Sequence, residues 1–334
     1  MEFTAGGRLV VRISPADVGK RVSVRSAGAA TPAGARFTDT VGVLTSWTDG
    51  VLLITRRTGE SVRVPESSLV AGRTVPAAPA RRRGPAASFE ELARATSRAW
   101  RPLEAERLGD WELRAASGFT RRANSVLPLG DPGMPLDQAL ERVRAWYGAR
   151  GLPAYVQAAT GAAGTQEELC AALEERGWQR EVSAEVLVGP LAPLADRDAD
   201  GSRVLVSRTA GEGWLRRYGR FGGAAGEPPA PVRAVLAAGP SVWFASVPGA
   251  DGVPEAIGRC VVDGRWAGFM AVEVAPEHRR RGLGTAVMAA LAGRALTEGA
   301  SASWLQVEAG NGAAQALYAG LGFTVHHHYH HFRA

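Results

Sequence analysis

The chain has 334 residues, 46% hydrophobic and 22% charged, which excludes global disorder and leads to an expectation of two or three domains. No run of about 18 apolar residues occurs, and Glu2, Arg8, Arg12 and Asp17 break any signal-peptide layout, so neither a membrane span nor a secretory leader is expected. The net charge of +6 is uneven: residues 1–87 carry 13 basic against 6 acidic side chains, the remainder 26 against 27. Residues 1–75 read as all-β. Alternating runs recur at Arg21–Arg25, Val41–Leu44, Val51–Ile54 and Ser61–Val64. Turn signals separate them at Asp49-Gly50, at Thr58-Gly59 and in the Gly/Ala/Pro stretch 28–35. A small closed barrel is the expectation, since closure removes exposed edges.

That layout resembles an SH3-like barrel. Residues 76–87, rich in Pro and Ala and containing Arg81-Arg82-Arg83, read as a linker. From Ser88 the pattern turns to α/β. Ser88 with Glu91 three residues on reads as a capping box. Strands are expected at Trp111–Ala115 and Ala123–Leu129, then a helix at Pro135–Arg150 with Leu136, Leu140, Val143 and Tyr147 on one face. A strand at Ala154–Ala158, a helix at Gln166–Arg176 and a strand at Glu181–Val188 follow. The same grammar then repeats. Strands are expected at Arg203–Ser207, Val242–Val247, Ala256–Val262, Phe269–Ala275 and Ser303–Glu308. Helices are expected near Glu212–Phe221, Pro231–Ala237, Gly284–Glu298 and Gly312–Ala319. A last strand runs from Phe323 to about Phe332. Leu173–Trp178 echoes Tyr318–Phe323, each a helix ending at a Gly before an aromatic. This is a weak internal repeat of about 100 residues.

The chemistry concentrates in Val272-Glu273-Val274-Ala275-Pro276-Glu277-His278-Arg279-Arg280-Arg281-Gly282-Leu283-Gly284-Thr285. An apolar strand ends at Pro276, and a basic, Gly-punctuated turn opens a helix. Glycines one residue apart let backbone N–H groups converge beside the positive end of the helix, a cradle for a pyrophosphate. Val287 stands where a dinucleotide fingerprint needs its third Gly, and no Gly-Lys-Ser/Thr follows, so neither that motif nor a P-loop is present. Then comes Asn311-Gly312-Ala313-Ala314-Gln315-Ala316-Leu317-Tyr318, closing at Gly322-Phe323.

Together these segments resemble the GNAT acetyltransferase superfamily: Pro-x-x-Arg-x-x-Gly-x-Gly, then Asn-x-x-Ala-x-x-Leu-Tyr-x-x-x-Gly-Phe. The whole arrangement is similar to tandem-type actinobacterial GNAT proteins with a small N-terminal barrel. The resemblance implies an α/β (α+β) GNAT fold with an SH3-like β-barrel at 1–75, a degenerate GNAT-like domain at 88–199 and a catalytic GNAT domain at 200–334. It implies that strand Phe269–Ala275 splays from Ser303–Glu308 to admit the pantetheine arm of acetyl-CoA. Backbone groups of Val272 and Val274 would pair with that arm, and the Val274 N–H would polarise the acetyl carbonyl. Cofactor contacts are expected from Val272, Glu273 and Val274, from Arg279, Arg280, Arg281, Gly282, Leu283, Gly284 and Thr285, and from Asn311 and Tyr318. Tyr318 would be the general acid for the leaving thiolate. Glu273 and Glu308 are the candidate bases, because related amine acetyltransferases often carry Glu where this chain has Gln306.

The first α/β half lacks the Gly-x-Gly turn at Thr120-Arg121-Arg122-Ala123-Asn124 and has Leu173 in the place of Tyr318, so it is expected to bind no acetyl-CoA. Arg121, Arg122 and Asn124 read either as a site for an anionic substrate or as ordinary surface charge. The tail His326-His327-His328-Tyr329-His330-His331 alternates across one strand, which does not converge three or four ligands on a metal. Cys170 and Cys260 make no disulfide framework, and a cytoplasmic setting is expected. The function expected is direct acetyl transfer to a small-molecule or peptide amine, without metal. Two alternatives stand beside it. One is an acetyl-CoA-sensing regulator that binds nucleic acid or protein through the basic N-terminal segment. The other is a tandem enzyme acetylating a small thiol-metabolite precursor. A final expectation concerns the sheet. Only one strand follows the Asn311 helix where the family has two, so the two halves should complete each other's sheets.

Overall fold

A computed structural model describes residues 10–28, 37–76, 84–197, 201–219 and 229–334. The Gly/Ala/Pro stretch beyond residue 28, most of the 76–87 linker with Arg81–Arg83, and the end of the helix expected at 212–221 lie outside the described residues. The strands are β1 (Arg21–Ala27), β2 (Phe37–Thr48), β3 (Val51–Thr55), β4 (Ser61–Pro65), β5 (Leu69–Thr74), β6 (Glu104–Leu108), β7 (Trp111–Ala115) and β8 (Leu127–Pro128), then β9 (Tyr155–Thr160), β10 (Gln179–Pro190), β11 (Leu205–Ser207), β12 (Ser241–Val247), β13 (Ala256–Asp263), β14 (Trp266–Val274), β15 (Ala302–Glu308) and β16 (Thr324–Arg333). The helices are α1 (Phe89–Ala99), α2 (Leu136–Gly148), α3 (Glu167–Glu175), α4 (Ala192–Ala195), α5 (Glu212–Arg217), α6 (Ala230–Ala237), α7 (Leu283–Thr297) and α8 (Gly312–Gly320).

The chain forms two compact units. The first comprises Met1–Ala80 and Ala158–Gln179. Its sheet runs β4-β3-β2-β1-β5. Alternation buries Val22 and Val24 of β1 with Leu44, Leu52, Ile54, Val64 and Ile13. The Asp49-Gly50 signal makes the β2–β3 hairpin, with φ of 52° and 70°, which matches the twist of the flanking strands. The expected closed barrel is not seen: among the described residues β4 and β5 are the two edges of the sheet. Helix α3 joins these strands and packs on β2. The Ser61 hydroxyl donates to Glu174 at 3.3 Å, and the Thr160 hydroxyl donates to the Arg57 carbonyl at 2.8 Å. Glu167, Glu168, Glu174 and Glu175 thereby enter the same unit as the basic N-terminal strands.

The second unit comprises Arg81–Gln157 and Arg180–Ala334. Ser88 caps α1, accepting the Glu91 N–H at 3.1 Å. The carboxylate of Glu91 also accepts from Arg265 Nε at 2.9 Å and Trp266 Nε1 at 2.8 Å; burial pushes it up, but Trp266, Arg265 and the Ser88 backbone N–H together hold it below the usual carboxylate range. A three-stranded sheet, β6-β7-β8, belongs to the first α/β half. The eight-stranded sheet runs β11-β12-β13-β14-β15-β10-β16-β9.

That order answers the question of the missing strand. β10, which ends the first half, lies between β15 and β16 of the second. It pairs antiparallel with β15 from Ala184 opposite Glu308 to Pro190 opposite Ala302. β16 in turn lies between β10 and β9. The two halves share one hydrogen-bonded sheet, so the backbone groups along β15 are satisfied on that side. The core under it joins Leu187, Leu191 and Leu194 to Phe269, Val287, Leu291, Leu305 and Phe323.

Arg259 ties the halves a second time. It is fully buried on β13 and faces away from that core. Its guanidinium donates to Ala99 O at 3.0 and 3.1 Å, to Leu236 O at 2.7 Å and to Ala238 O at 2.6 Å. These carbonyls lie at the C-terminal ends of α1 and α6, where helix dipoles favour a cation. Burial pushes the guanidinium down to about 10, still charged at neutral pH.

The histidine tail is a strand, with His327, His330 and His331 buried. His330 Nδ1 shares a hydrogen bond of 2.8 Å with the Ser183 hydroxyl. Burial, followed by the nearby Arg180 and His328, lowers His330 to about 3, and burial lowers His331 in the same direction. A histidine depressed in the folded state contributes stability above its unfolded value of about 6.5, lost as pH falls from there toward the folded value. At pH 5 this costs roughly 2 kcal/mol for His330, and His331 acts in the same direction. Urea titrations at pH 7 and pH 5 should show that decline; equal stability at the two pH values would contradict the buried neutral state.

Candidate active site

β14 and β15 pair in parallel only from Trp266 opposite Ala302 to Phe269 opposite Leu305. Beyond that point β14 stays on β13, with Glu273 opposite Ile257 and Val274 opposite Ala256, and leaves β15. The cause is local. The β13–β14 register shifts between Ile257 and Arg259, and Ala271 takes a φ of 50°. A bulge turns the strand, and a non-glycine residue held at positive φ costs of order 1–3 kcal/mol. Val272 and Val274 of the departed arm pack against the main core, so Glu273 between them faces the other side of the sheet.

The turn expected to cradle a pyrophosphate follows directly. Arg280 and Gly282 have φ of 62° and 78°. Gly282 precedes α7, whose first intrahelical bond runs from the Ala286 N–H to Gly282 O. The amides of Leu283, Gly284 and Thr285 lie ahead of that bond and face the helix opening. Arg279, Arg280 and Arg281 are exposed around them. Arg279 Nε donates to Val274 O at 3.3 Å, and Arg281 Nη1 is bonded to His278 Nδ1 at 2.8 Å. Gly284 is buried, with Leu317 and Val274 side-chain carbons 3.5 and 3.7 Å from where a Cβ would stand. The end of β14, the start of α7 and α8 therefore meet at one place.

Asn311 caps α8, its side-chain oxygen accepting the Ala314 N–H at 3.1 Å. Tyr318 is 9% exposed, with its ring edge-on to Phe323 at 6.1 Å. Glu273 is half-buried in the arm of the split, whereas Glu308 is exposed at the tip of β15 opposite Ala184. Burial pushes the Cys260 thiol up to about 12, so no thiolate is available there at neutral pH.

Three residues flagged in the first half separate. Arg121 pairs with Glu181 at 3.0 Å. Asn124 is consumed internally: its oxygen accepts from the Ala116 and Gly118 amides, and its nitrogen donates to Phe119 O and Thr120 O. It holds a loop in which Ser117 and Thr120 have φ of 48° and 54°. Arg122 has no carboxylate within ion-pair distance among the described residues. Sequence reasoning passed over Trp100 and Arg259. Arg259 did carry a signal, a lone cation inside an apolar strand run. Among the described residues no three His, Cys, Asp or Glu side chains group to hold a metal, and no helix is long and apolar enough to cross a membrane.

A family model described as the C-terminal region of the probable histone acetyltransferase Rv0428c matches residues 86–332. The probable histone acetyltransferase Rv0428c of Mycobacterium tuberculosis is 27% identical over 315 residues, 93% of each chain. An uncharacterized N-acetyltransferase, YobR of Bacillus subtilis, is 26% identical over 246 residues, covering 72% of this chain and 97% of its own. Among solved structures, a tandem GNAT protein from the clavulanic acid biosynthesis pathway aligns with TM-score 0.53 at 14% identity, over 75% of this chain and 90% of that one. A GCN5-related N-acetyltransferase from Kribbella flavida aligns with TM-score 0.51 at 20% identity, over 72% and 93%.

Proposed function

Because the chain belongs to this family of GNAT acetyltransferases, we propose that it moves an acetyl group from acetyl-CoA to an amine by direct attack. The observation that carries the reading is the split between β14 and β15, placed against the amide-lined opening of α7. The split has the form of an added-strand site for an extended arm. The helix opening and the three exposed arginines suit the pyrophosphate at its other end.

In this reading the neutral amine attacks the acetyl carbonyl from the face of the sheet opposite α7 and α8. The Val274 N–H stabilises the oxyanion. The C–N bond forms as the C–S bond breaks, and the Tyr318 hydroxyl gives its proton to the leaving thiolate. The amine proton passes to Glu273, the half-buried carboxylate facing the acceptor side, directly or through water. Glu308 is the alternative. The acceptor is a small molecule or a peptide amine, the reaction is cytoplasmic, and the N-terminal five-stranded module is of the SH3-like type. Titration of the full chain with acetyl-CoA tests the cofactor assignment: one molecule should bind per chain.

A further inference from the structure

Gln306 is the first residue of β15 beyond its last pair with β14. Leu305 and Val307 belong to the core beneath α7 and α8, so Gln306 faces the opposite, acceptor side. Its Oε1 is buried and has no hydrogen-bond partner among the described residues. On that same face, Arg259 and its cross-strand neighbour Met270 lie beneath Trp100, with the Arg259 guanidinium 5.1 Å from the Trp100 ring. Trp100 is 4% exposed, and its Nε1 is also buried without a partner. The Arg122 guanidinium lies 5.9 Å from the Trp100 ring and 5.9 Å from the Tyr329 ring. Its Nε donates to the Tyr329 hydroxyl at 2.8 Å.

The sheet order fixes what Arg122 spans. Trp100 lies over β13 and β14, and Tyr329 is on β16, with β15 and β10 between them. Arg122 therefore sits over the strands that carry Gln306 and its partner Val186. Its Cζ is equally distant from the two rings, and among the described residues no carboxylate pairs with it. A buried acceptor, a buried donor and an uncompensated planar cation thus share one face at the split. Each is costly while unmatched.

Resting on the amine-acetylation reading, we infer that the acceptor is an amine that also carries a carboxylate. Its amine is held at Gln306 Oε1, and its carboxylate is taken by the Arg122 fork with help from Trp100 Nε1. A guanidinium receives a carboxylate through two parallel N–H bonds. Gln306 accepts an N–H without taking the proton, so it orients the amine and leaves proton removal to another group.

The test compares amino acids and ω-amino acids with the same compounds as primary amides, read as free thiol released from acetyl-CoA. The acids should exceed their amides in kcat/KM by about 10- to 100-fold, the usual value of a charge-assisted hydrogen bond. Arg122→Gln should bring that ratio close to one, and Arg122→Lys should restore only part of it. The comparison in the unsubstituted chain needs no variant to fold. Amides turned over as well as acids, or an unchanged ratio in Arg122→Gln, would overturn the inference. A chain that binds acetyl-CoA yet acetylates no amine would overturn the amine reading along with it.

Discussion

Residues 200–334 expressed alone should yield an aggregated or molten chain, although they hold every cofactor motif. The fragment lacks β10, so the edge of β15 from Ala302 to Glu308 loses its antiparallel partner. β16 loses both neighbours, β10 and β9. Leu187, Leu191 and Leu194 leave the core, uncovering apolar surface on Leu305 and Phe323. Arg259 loses the Ala99 carbonyl, which accepts two of its hydrogen bonds. An exposed apolar strand edge is a template for association, and an under-satisfied buried cation costs about 3–5 kcal/mol. Together these losses are a large share of the stability of a domain, about 5–15 kcal/mol. Co-expression of 1–199 with 200–334 should restore a soluble complex, because it returns β10, β9, α1 and α4. A monomeric, cooperatively melting 200–334 fragment would show that the exchange is dispensable.

Tyr318→Phe should lower kcat about 100-fold, within the range of general acid catalysis, while acetyl-CoA affinity stays near that of the parent. The substitution is clean. The ring is 9% exposed, packs edge-on to Phe323 and belongs to the main core, and phenylalanine keeps all of that. Only the hydroxyl and the interactions it makes are removed. The loss should shrink with acetyl donors whose leaving groups are weaker bases, since they need less protonation. If kcat stays near the parent value, Tyr318 is a packing residue and the proton comes from elsewhere.

The turn from Pro276 to Gly284 was legible because its information is local. Glycines, a proline and a helix start within ten residues specify positive φ and a cluster of amides wherever the segment lies. The helix cap at Ser88 was legible for the same reason, but the fate of Glu91 was not. Its tertiary partners, Arg265 and Trp266, are far along the chain, and nothing in the local pattern names them. The spacing of Pro135–Arg150 gave α2 within a residue or two. Ala123–Leu129 read as a strand, yet pairing is confined to Val126, which bridges to Val156, and to Leu127–Pro128, because Arg121–Ala123 form a short helical turn. The charged β6 was missed, since Glu-Ala-Glu-Arg-Leu carries no apolar alternation and pairs only with β7. That a further strand was needed beside β15 could be argued from the chain. The pairing of β10 with β15 register by register could not, because nothing in Ala184–Pro190 encodes which edge it will meet. The acceptor-side cluster is similarly non-local. Trp100, Arg122, Gln306 and Tyr329 come from four separated segments and carry no shared spacing.

Isothermal titration of the full-length chain with acetyl-CoA tests the central claim, a single cofactor site at the β14–β15 split, most directly. The account predicts one molecule bound per chain. It also predicts that Gly282→Asn, which tolerates the φ of 78°, retains binding, whereas Gly282→Asp, equal in size but negative beside the phosphates, abolishes it. No heat of binding in the parent chain, two molecules per chain, or equal affinity in the Asn and Asp variants would contradict it.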